Sequence, residues 1–320
     1  MTLSFFLKKI FSLSLSIFVA FYLVFLIIYA SRINIVSHNI RVRGIKVSNI
    51  ERFSFLKATK EYFAWLKKIK NFSFGKSVFF GEDVGVILKE RLKNTIILNC
   101  FALFILFFGG IILGVMSAVT KNQFISILEM FFFVLYAIPD FILAIFLILI
   151  FSIKLNMFPS SGMVSINHAD LGTLGKFFDY FKHLFLPALS LSLASIIFLA
   201  RFTKNSIVGI LEYSHIVALK VRGVDTFLNK VKHVLKNSLY PFISLFTFII
   251  PGLVGGSIII ETIFGYPGIG KVFFTAVNHR DFPLLLGVSF INVTVIFFSI
   301  FITDILYEVF KVGDVNEKSY

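Results

Sequence analysis

TIILNCFALFILFFGGIILGVMSAV, Thr95 to Val119, contains no Asp, Glu, Lys, Arg or His. At about 1.5 Å rise per residue, a helix of about 20 residues crosses the hydrocarbon core of a bilayer, so this stretch spans by itself. Comparable runs flank it. Upstream, Lys8 and Lys9 precede an apolar stretch from Ile10 to Ala30; downstream, further runs cover Ile125 to Phe151, Leu184 to Ala200, Phe242 to Ile260 and Leu284 to Tyr307. The first run exceeds a signal-peptide core and lacks a small-x-small cleavage site, so it reads as a retained helix. Over 320 residues, 58% are hydrophobic and only 15% charged, and the mean hydropathy is +0.91. A water-soluble globule is excluded. A transmembrane barrel would need short segments of alternating polarity, and these runs do not alternate. The fold class is therefore all-α, a polytopic transmembrane bundle of about six spans, with both termini on one side.

Charge says less about orientation than about partners. Residues 32–93 hold 14 Lys/Arg against 5 Asp/Glu, a length at which the positive-inside rule weakens. The polar stretch 201–240 is also basic, through Arg201, Lys204, Lys220, Arg222, Lys230, Lys232 and Lys236 against Glu212 and Asp225. Counting leaves the two sides undecided. The net charge of +14 reads as basic loops beside anionic lipid headgroups, with no nucleic acid as partner. Cys100 is the single cysteine, which excludes an internal disulfide and a Cys-built metal site.

The stretch from Arg201 to Pro241 is patterned as two short helices. Ile210, Leu211, Tyr213, Ile216, Val217 and Val221 form a helix-compatible apolar set ending at Gly223. Lys220 and Arg222 fall in its last turn, where cations suit the helix dipole, and Gly223 suits a left-handed cap. Asp225 is placed to cap a second helix on which His233, Asn237 and Pro241 recur at intervals of four and share a face. Such a helix fits a groove on a partner protein or lies on the lipid surface, and the pattern does not choose.

These residues resemble a family. Gly223, His233, Asn237 and Pro241 have the spacing of the "EAA"-type cytoplasmic loop in the inner-membrane permease subunits of ABC importers for dipeptides, oligopeptides and nickel. On its two sides, Ala200-Arg201-Phe202-Thr203 is similar to the family's exit from the preceding helix, and Glu261-Thr262-Ile263-Phe264-Gly265-Tyr266-Pro267-Gly268-Ile269-Gly270 to its E-T-x-F-x-x-P-G-x-G loop. His279-Arg280-Asp281-Phe282-Pro283 resembles N-R-D-Y-P, and Asp304-Ile305-Leu306-Tyr307 resembles D-I-L-Y. Tyr62 with Trp65-Leu66, Phe74-Gly75-Lys76-Ser77, Arg91-Leu92 with Thr95, Ile138-Pro139-Asp140-Phe141, and Pro159 with Gly162 follow in the same order. The loop centre, Leu219-Lys220-Val221-Arg222-Gly223, stands where the family has A-R-A-K-G, and G-D-P and D-P-R elements have no counterpart. The long first external segment is similar to the first, B-type, permease of such systems.

The resemblance implies a type I-like permease with cytoplasmic termini in a bacterial inner membrane. Its parts would be an N-terminal segment and first helix (1–31), an extracytoplasmic insertion (32–94), a five-helix core with its coupling loop (95–310, loop 201–241) and a cytoplasmic tail (311–320). The chain would be no enzyme and would hold no cofactor: ATP and Mg would be bound by two partner ATPase subunits. A paired permease and an extracytoplasmic solute-binding protein would complete the assembly, with a peptide as cargo. Ala218, Leu219, Lys220, Arg222, Gly223, Asp225, His233, Asn237 and Pro241 would couple to the ATPase. Glu261, Pro267, Gly268 and Gly270 would build a tight turn before the last span. Other readings remain: a nickel-complex permease of the same family, an ion- or proton-coupled secondary transporter, or a scaffold that recruits a soluble partner.

Two glycine patterns imitate phosphate loops and fail. Gly265, Gly270 and Lys271 are followed by Val272 where Ser or Thr is required, and Gly75-Lys76-Ser77 has Lys70 in place of the upstream glycine. The six histidines show no pair at ligand spacing on one predicted helix. Glu129, Asp140 and Asp304 are acids inside spans, where a charge faces a bundle interior or a water-filled cavity. Pro139 predicts a kink there, so Asp140 either lines the pathway or caps the broken helix. Gly110 with Gly114, and Gly252 with Gly256, are spaced for close helix approach within the chain or against a second subunit.

Overall fold

The computed structural model describes residues 3–42, 54–69, 73–120, 122–211 and 257–310. The coupling residues Ala218, Leu219, Lys220, Arg222, Gly223, Asp225, His233, Asn237 and Pro241 lie outside the described residues. So do most of the run 242–260, the pair Gly252 and Gly256, and the tail 311–320.

Eight helices are used below: α1 (Leu3–Val42), α2 (Phe55–Ile69), α3 (Val84–Val119), α4 (Gln123–Tyr136), α5 (Asp140–Leu147, continued by a π-helical turn Ile148–Lys154), α6 (Thr173–Leu211), α7 (Ile269–Asn278) and α8 (Phe282–Phe310). Among the described residues, α1, α3, α6 and α8 are long and apolar enough to cross a bilayer, and α4 with α5 makes a fifth, broken span. This is the all-α polytopic architecture that the apolar runs require. The predicted kink at Pro139 is in fact a break: the axes of α4 and α5 meet at 111°. Proline lacks the N–H that α5 would need to continue α4, and it biases Ile138 away from helical backbone. Helix α3 begins at Val84, ahead of the apolar run, and α6 runs through Arg201 without interruption to Leu211.

The chain divides into two compact units, Met1–Lys93 with Val272–Phe301, and Asn94–Lys271 with Ile302–Tyr320. In the first, α2 is amphipathic: Ala58 and Tyr62, four apart, are buried, while Lys60, Glu61, Lys67 and Lys68 are exposed or at the edge. Its apolar face packs on α1 instead of lying free at the headgroup level. Tyr62 sits among Phe18, Phe21, Tyr22 and Phe25, with ring centroids 4.9 to 6.0 Å away, and its hydroxyl donates to the Phe18 carbonyl at 2.9 Å. The Thr59 hydroxyl donates to the Phe55 carbonyl at 2.8 Å, so Tyr22 is the donor in its 2.7 Å contact with Thr59.

In the second unit α6 is the central rod. Its Leu186, Ala188 and Leu191 share a buried cluster with Leu98 and Ala102 of α3, Ala144 and Leu147 of α5, and Phe264 and Tyr266. Further along, Ile196, Leu199 and Ala200 pack with Leu106 and Leu113 of α3 and Ile125 of α4. The α3–α6 crossing is what the small residues serve. A Cβ on Gly110 would stand 2.8 Å from Leu199, and one on Gly114 would stand 2.5 Å from the Ala200 carbonyl oxygen. The first glycine pair therefore packs within the chain.

Candidate functional site

Three constructions fix the ends of the helices, and two of them are built from the motifs picked out above. The first centres on Glu261, at the end of helical residues 257–263 and fully buried. The Thr95 hydroxyl donates to its Oε1 at 2.7 Å, and the Lys271 N–H donates to Oε2 at 3.0 Å. The Gly270 N–H and the Ser257 hydroxyl donate to it as well. Thr95 in turn accepts the Ile269 N–H at 2.8 Å, and Asn94 donates to the Pro267 carbonyl at 2.8 Å. A carboxylate thus occupies the N-terminus of α7, whose unpaired N–H groups and dipole favour an anion.

The glycines follow from that carboxylate. A Cβ at Gly268 would meet the Glu261 carboxyl at 2.4 Å, and one at Gly270 would meet the Ile258 Cα at 2.5 Å. Gly265 has φ +60°, a left-handed turn that favours glycine, and Lys271 Nζ donates to its carbonyl at 3.0 Å. The N–H groups of Gly270 and Lys271, which a phosphate loop would offer to a ligand, are therefore spent on Glu261. The loop also holds Pro159 to Gly162, since the Gly162 N–H donates to the Phe264 carbonyl at 2.8 Å.

The second construction joins two motifs 204 positions apart in sequence. Asp281 is fully buried and caps α8, accepting the Leu284 N–H at 3.2 Å; Pro283 sits in the first turn, where its missing N–H costs nothing. The same carboxylate accepts the Ser77 hydroxyl at 2.5 Å and the Phe79 N–H at 3.0 Å. Gly75 (φ +93°) brings its backbone against Pro283, 3.7 Å from where its Cβ would be. The His279 ring stacks on Phe79 with centroids 3.9 Å apart. Phe74-Gly75-Lys76-Ser77 and His279-Arg280-Asp281-Phe282-Pro283 are two halves of one clasp.

The third lay outside the sequence reading. Asp179 and His183 stand four apart in α6, and the carboxylate of Asp179 accepts the Ser165 N–H at 3.0 Å, its hydroxyl at 2.5 Å, and contacts His168 Nδ1 at 2.6 Å. Since the Ser165 proton goes to Asp179, His183 Nε2 is the donor in its 3.2 Å contact with Ser165 Oγ. That fixes the tautomer and leaves the buried Nδ1 as an acceptor without a donor among the described residues. Among the described residues no group of three His, Cys, Asp or Glu side chains could hold a metal ion. The cluster ties the loop before α6 to α6, leaving Ile166 fully exposed between its anchors. The D-x-x-x-H spacing in α6 was the available signal, but the other two members lie in an irregular loop.

At the other end of α6, Lys204 Nζ reaches both oxygens of Glu129 at 3.1 and 3.2 Å, and Arg201 stands 4.3 Å over the Phe133 ring. Both contacts bind α6 to α4 just before the segment 212–256. Glu129 is thus a paired acid. Asp140, half-exposed, occupies the first turn of α5 immediately after the break, where the helix dipole favours its charge.

Residues 110–311 match the family model described as binding-protein-dependent transport system inner membrane component. The oligopeptide transport system permease protein AppB of Bacillus subtilis is 31% identical over 253 residues, 78% of this chain and 78% of that one. The dipeptide transport system permease protein DppB of the same organism is 31% identical over 249 residues, 77% and 76% of the two chains. A putative peptide transport system permease protein of Brucella suis is 32% identical over 252 residues, 77% and 76%. The family match takes in the end of α3, then α4 to α8 with Glu261 and Asp281, and it shows that the chain belongs to the inner-membrane permease components of binding-protein-dependent transport systems.

Proposed function

We propose that the chain forms half of the peptide pathway of an ABC importer, beside a paired permease, and is moved by two ATPase subunits that grip residues 201–241. The relatives named for oligopeptide and dipeptide transport support the cargo. The observation that carries the coupling is the course of α6. It enters the segment as one helix from Thr173 to Leu211, is cross-tied to α4 at Arg201 and Lys204, and reaches the Glu261 core at Leu186 and Leu191. A push on the segment moves a rod, and the α3–α6 crossing at Gly110 and Gly114 is close enough to carry α3 with it.

In this reading the termini are cytoplasmic, and the Glu261 knot and the Asp179 cluster face the solute-binding protein. ATP shifts the pathway between two states only through its preference for one of them. Gly223 ends the coupling helix, while Lys220 and Arg222 meet the ATPase. Asp140, at the break between α4 and α5, stands in the pathway wall. The decisive experiment replaces Gly223 with Trp in the assembled importer. Insertion is expected to be normal, while peptide uptake and the stimulation of ATPase activity by binding protein are lost. Normal stimulation in Gly223→Trp overturns the coupling assignment.

A further inference from the structure

A cavity of about 250 Å3 opens in the first unit, between α1, α2 and the start of α8. Phe25, Trp65, Phe74 and Leu286 line it, and Glu61 and Lys68, both exposed, stand at its open edge. Its level is set by α1: the apolar window of that helix is Phe6–Ser31, and Phe25 lies near the end of it. The cavity therefore sits where hydrocarbon gives way to headgroups, the depth at which Trp and Tyr collect. Trp65 also has a buried Nε1–H with no acceptor among the described residues. An unmet buried donor is costly, and the glycerol ester carbonyls of a phospholipid lie at this depth.

We infer that this cavity is a binding site for a zwitterionic phospholipid, with the start of one acyl chain against Phe25 and Leu286. The rim carries one carboxylate and one ammonium on the same side of α2, two helical turns apart. This pair complements a headgroup that itself holds one phosphate and one ammonium, Lys68 toward the phosphate and Glu61 toward the amine. An anionic lipid would satisfy Lys68 and be repelled by Glu61. The distinction matters because the net charge of +14 by itself favours anionic lipid around the chain. A site that prefers the neutral headgroup runs against that background. It also gives α2, too short and too charged to cross the bilayer, a reason to be held on α1 by Tyr62.

Trp65 is the single tryptophan, so its fluorescence reports the cavity directly. The full-length chain in nanodiscs is titrated with brominated phosphatidylethanolamine in an unbrominated phosphatidylglycerol background, and with brominated phosphatidylglycerol in the reverse background. Quenching by the zwitterionic lipid is expected to saturate, with half-quenching at a roughly fivefold lower mole fraction than the anionic lipid needs. Ala64→Phe, which fills the cavity wall, should make the ethanolamine curve linear. Glu61→Gln should keep quenching but erase the headgroup preference, since Glu61 is the group that takes the amine and repels the anionic lipid, and it serves alone if Ala64→Phe does not insert. Equal linear quenching by both lipids overturns the proposal, as does an unchanged preference in Glu61→Gln. Relief of quenching by a soluble apolar tripeptide also overturns it, since the cavity would then take a peptide.

Discussion

Asp281 and Glu261 show how much one carboxylate organises when burial forces every lone pair to find a donor. Removing Asp281 by Asp281→Ala strands the Ser77 hydroxyl and the Phe79 and Leu284 N–H groups, and each stranded donor costs about 1–3 kcal/mol. Ser77→Ala removes one donor and strands the Phe80 N–H that Ser77 Oγ accepts, but it leaves the cap, at about 1–3 kcal/mol in all. Thermal unfolding in detergent should therefore rank Asp281→Ala well below Ser77→Ala; equal midpoints would show that the clasp contributes nothing. Gly270→Ala is expected to destabilise by about 1–3 kcal/mol through overpacking on the Ile258 backbone. Tyr62 adds a pH dependence: burial, aided by Tyr22, raises its phenol from 10.0 to about 12. The unfolded chain then loses its proton first, so stability is intact below pH 10 and falls as pH rises toward 12. Tyr62→Phe should flatten that alkaline loss, measured as the unfolding midpoint against pH.

At the scale of elements, the tie between α4 and α6 is open to a charge swap. Lys204→Glu puts a second carboxylate beside Glu129 and should lower peptide uptake. Glu129→Lys combined with Lys204→Glu restores an opposite pair and should recover much of it. An uptake rate in the double variant no better than in the single ones would show that the contact is incidental. Glu129 also marks the boundary of what the sequence could say. That an acid in a span needs a partner was readable; that the partner is Lys204, 75 positions on, depends on how α4 packs on α6. The spans were legible because each is a long uncharged run, and the breaker at Pro139 was legible because it lacks an N–H. The 111° break was not, since its angle is set by what α5 packs against on α6. Likewise the Gly-x-x-x-Gly spacing of Gly110 and Gly114 announced close approach without naming α6. The Phe74–Ser77 and His279–Pro283 motifs were visible as strings, but nothing local says that Ser77 and Asp281 meet. Asp179 with His168 and Ser165 was invisible for the same reason.

For the whole molecule the proposed mechanism makes a thermodynamic demand. If nucleotide bound to the ATPase subunits and solute-binding protein bound to the opposite face both favour one pathway state, their coupling is a single free energy read from either end. The factor by which binding protein tightens a non-hydrolysable ATP analogue must equal the factor by which the analogue tightens binding protein. Under the proposed mechanism the communication would run through α6, which extends from Leu211 to a core containing Leu186 and Phe264 beside the Glu261 knot. Gly223→Trp, placed where α6 would be pushed, should bring both factors to one while leaving each ligand able to bind alone. Linkage requires the two factors to fall together, so a substitution that had instead damaged a binding surface would show itself as loss of one ligand's binding in the absence of the other. A chain that worked without a motor would behave differently again, filling vesicles under an ion gradient with no ATP present. The helix α6 and its ties to α4 and α3 are suited to the first behaviour, because a displacement at its Leu211 end is shared with the helices packed along it.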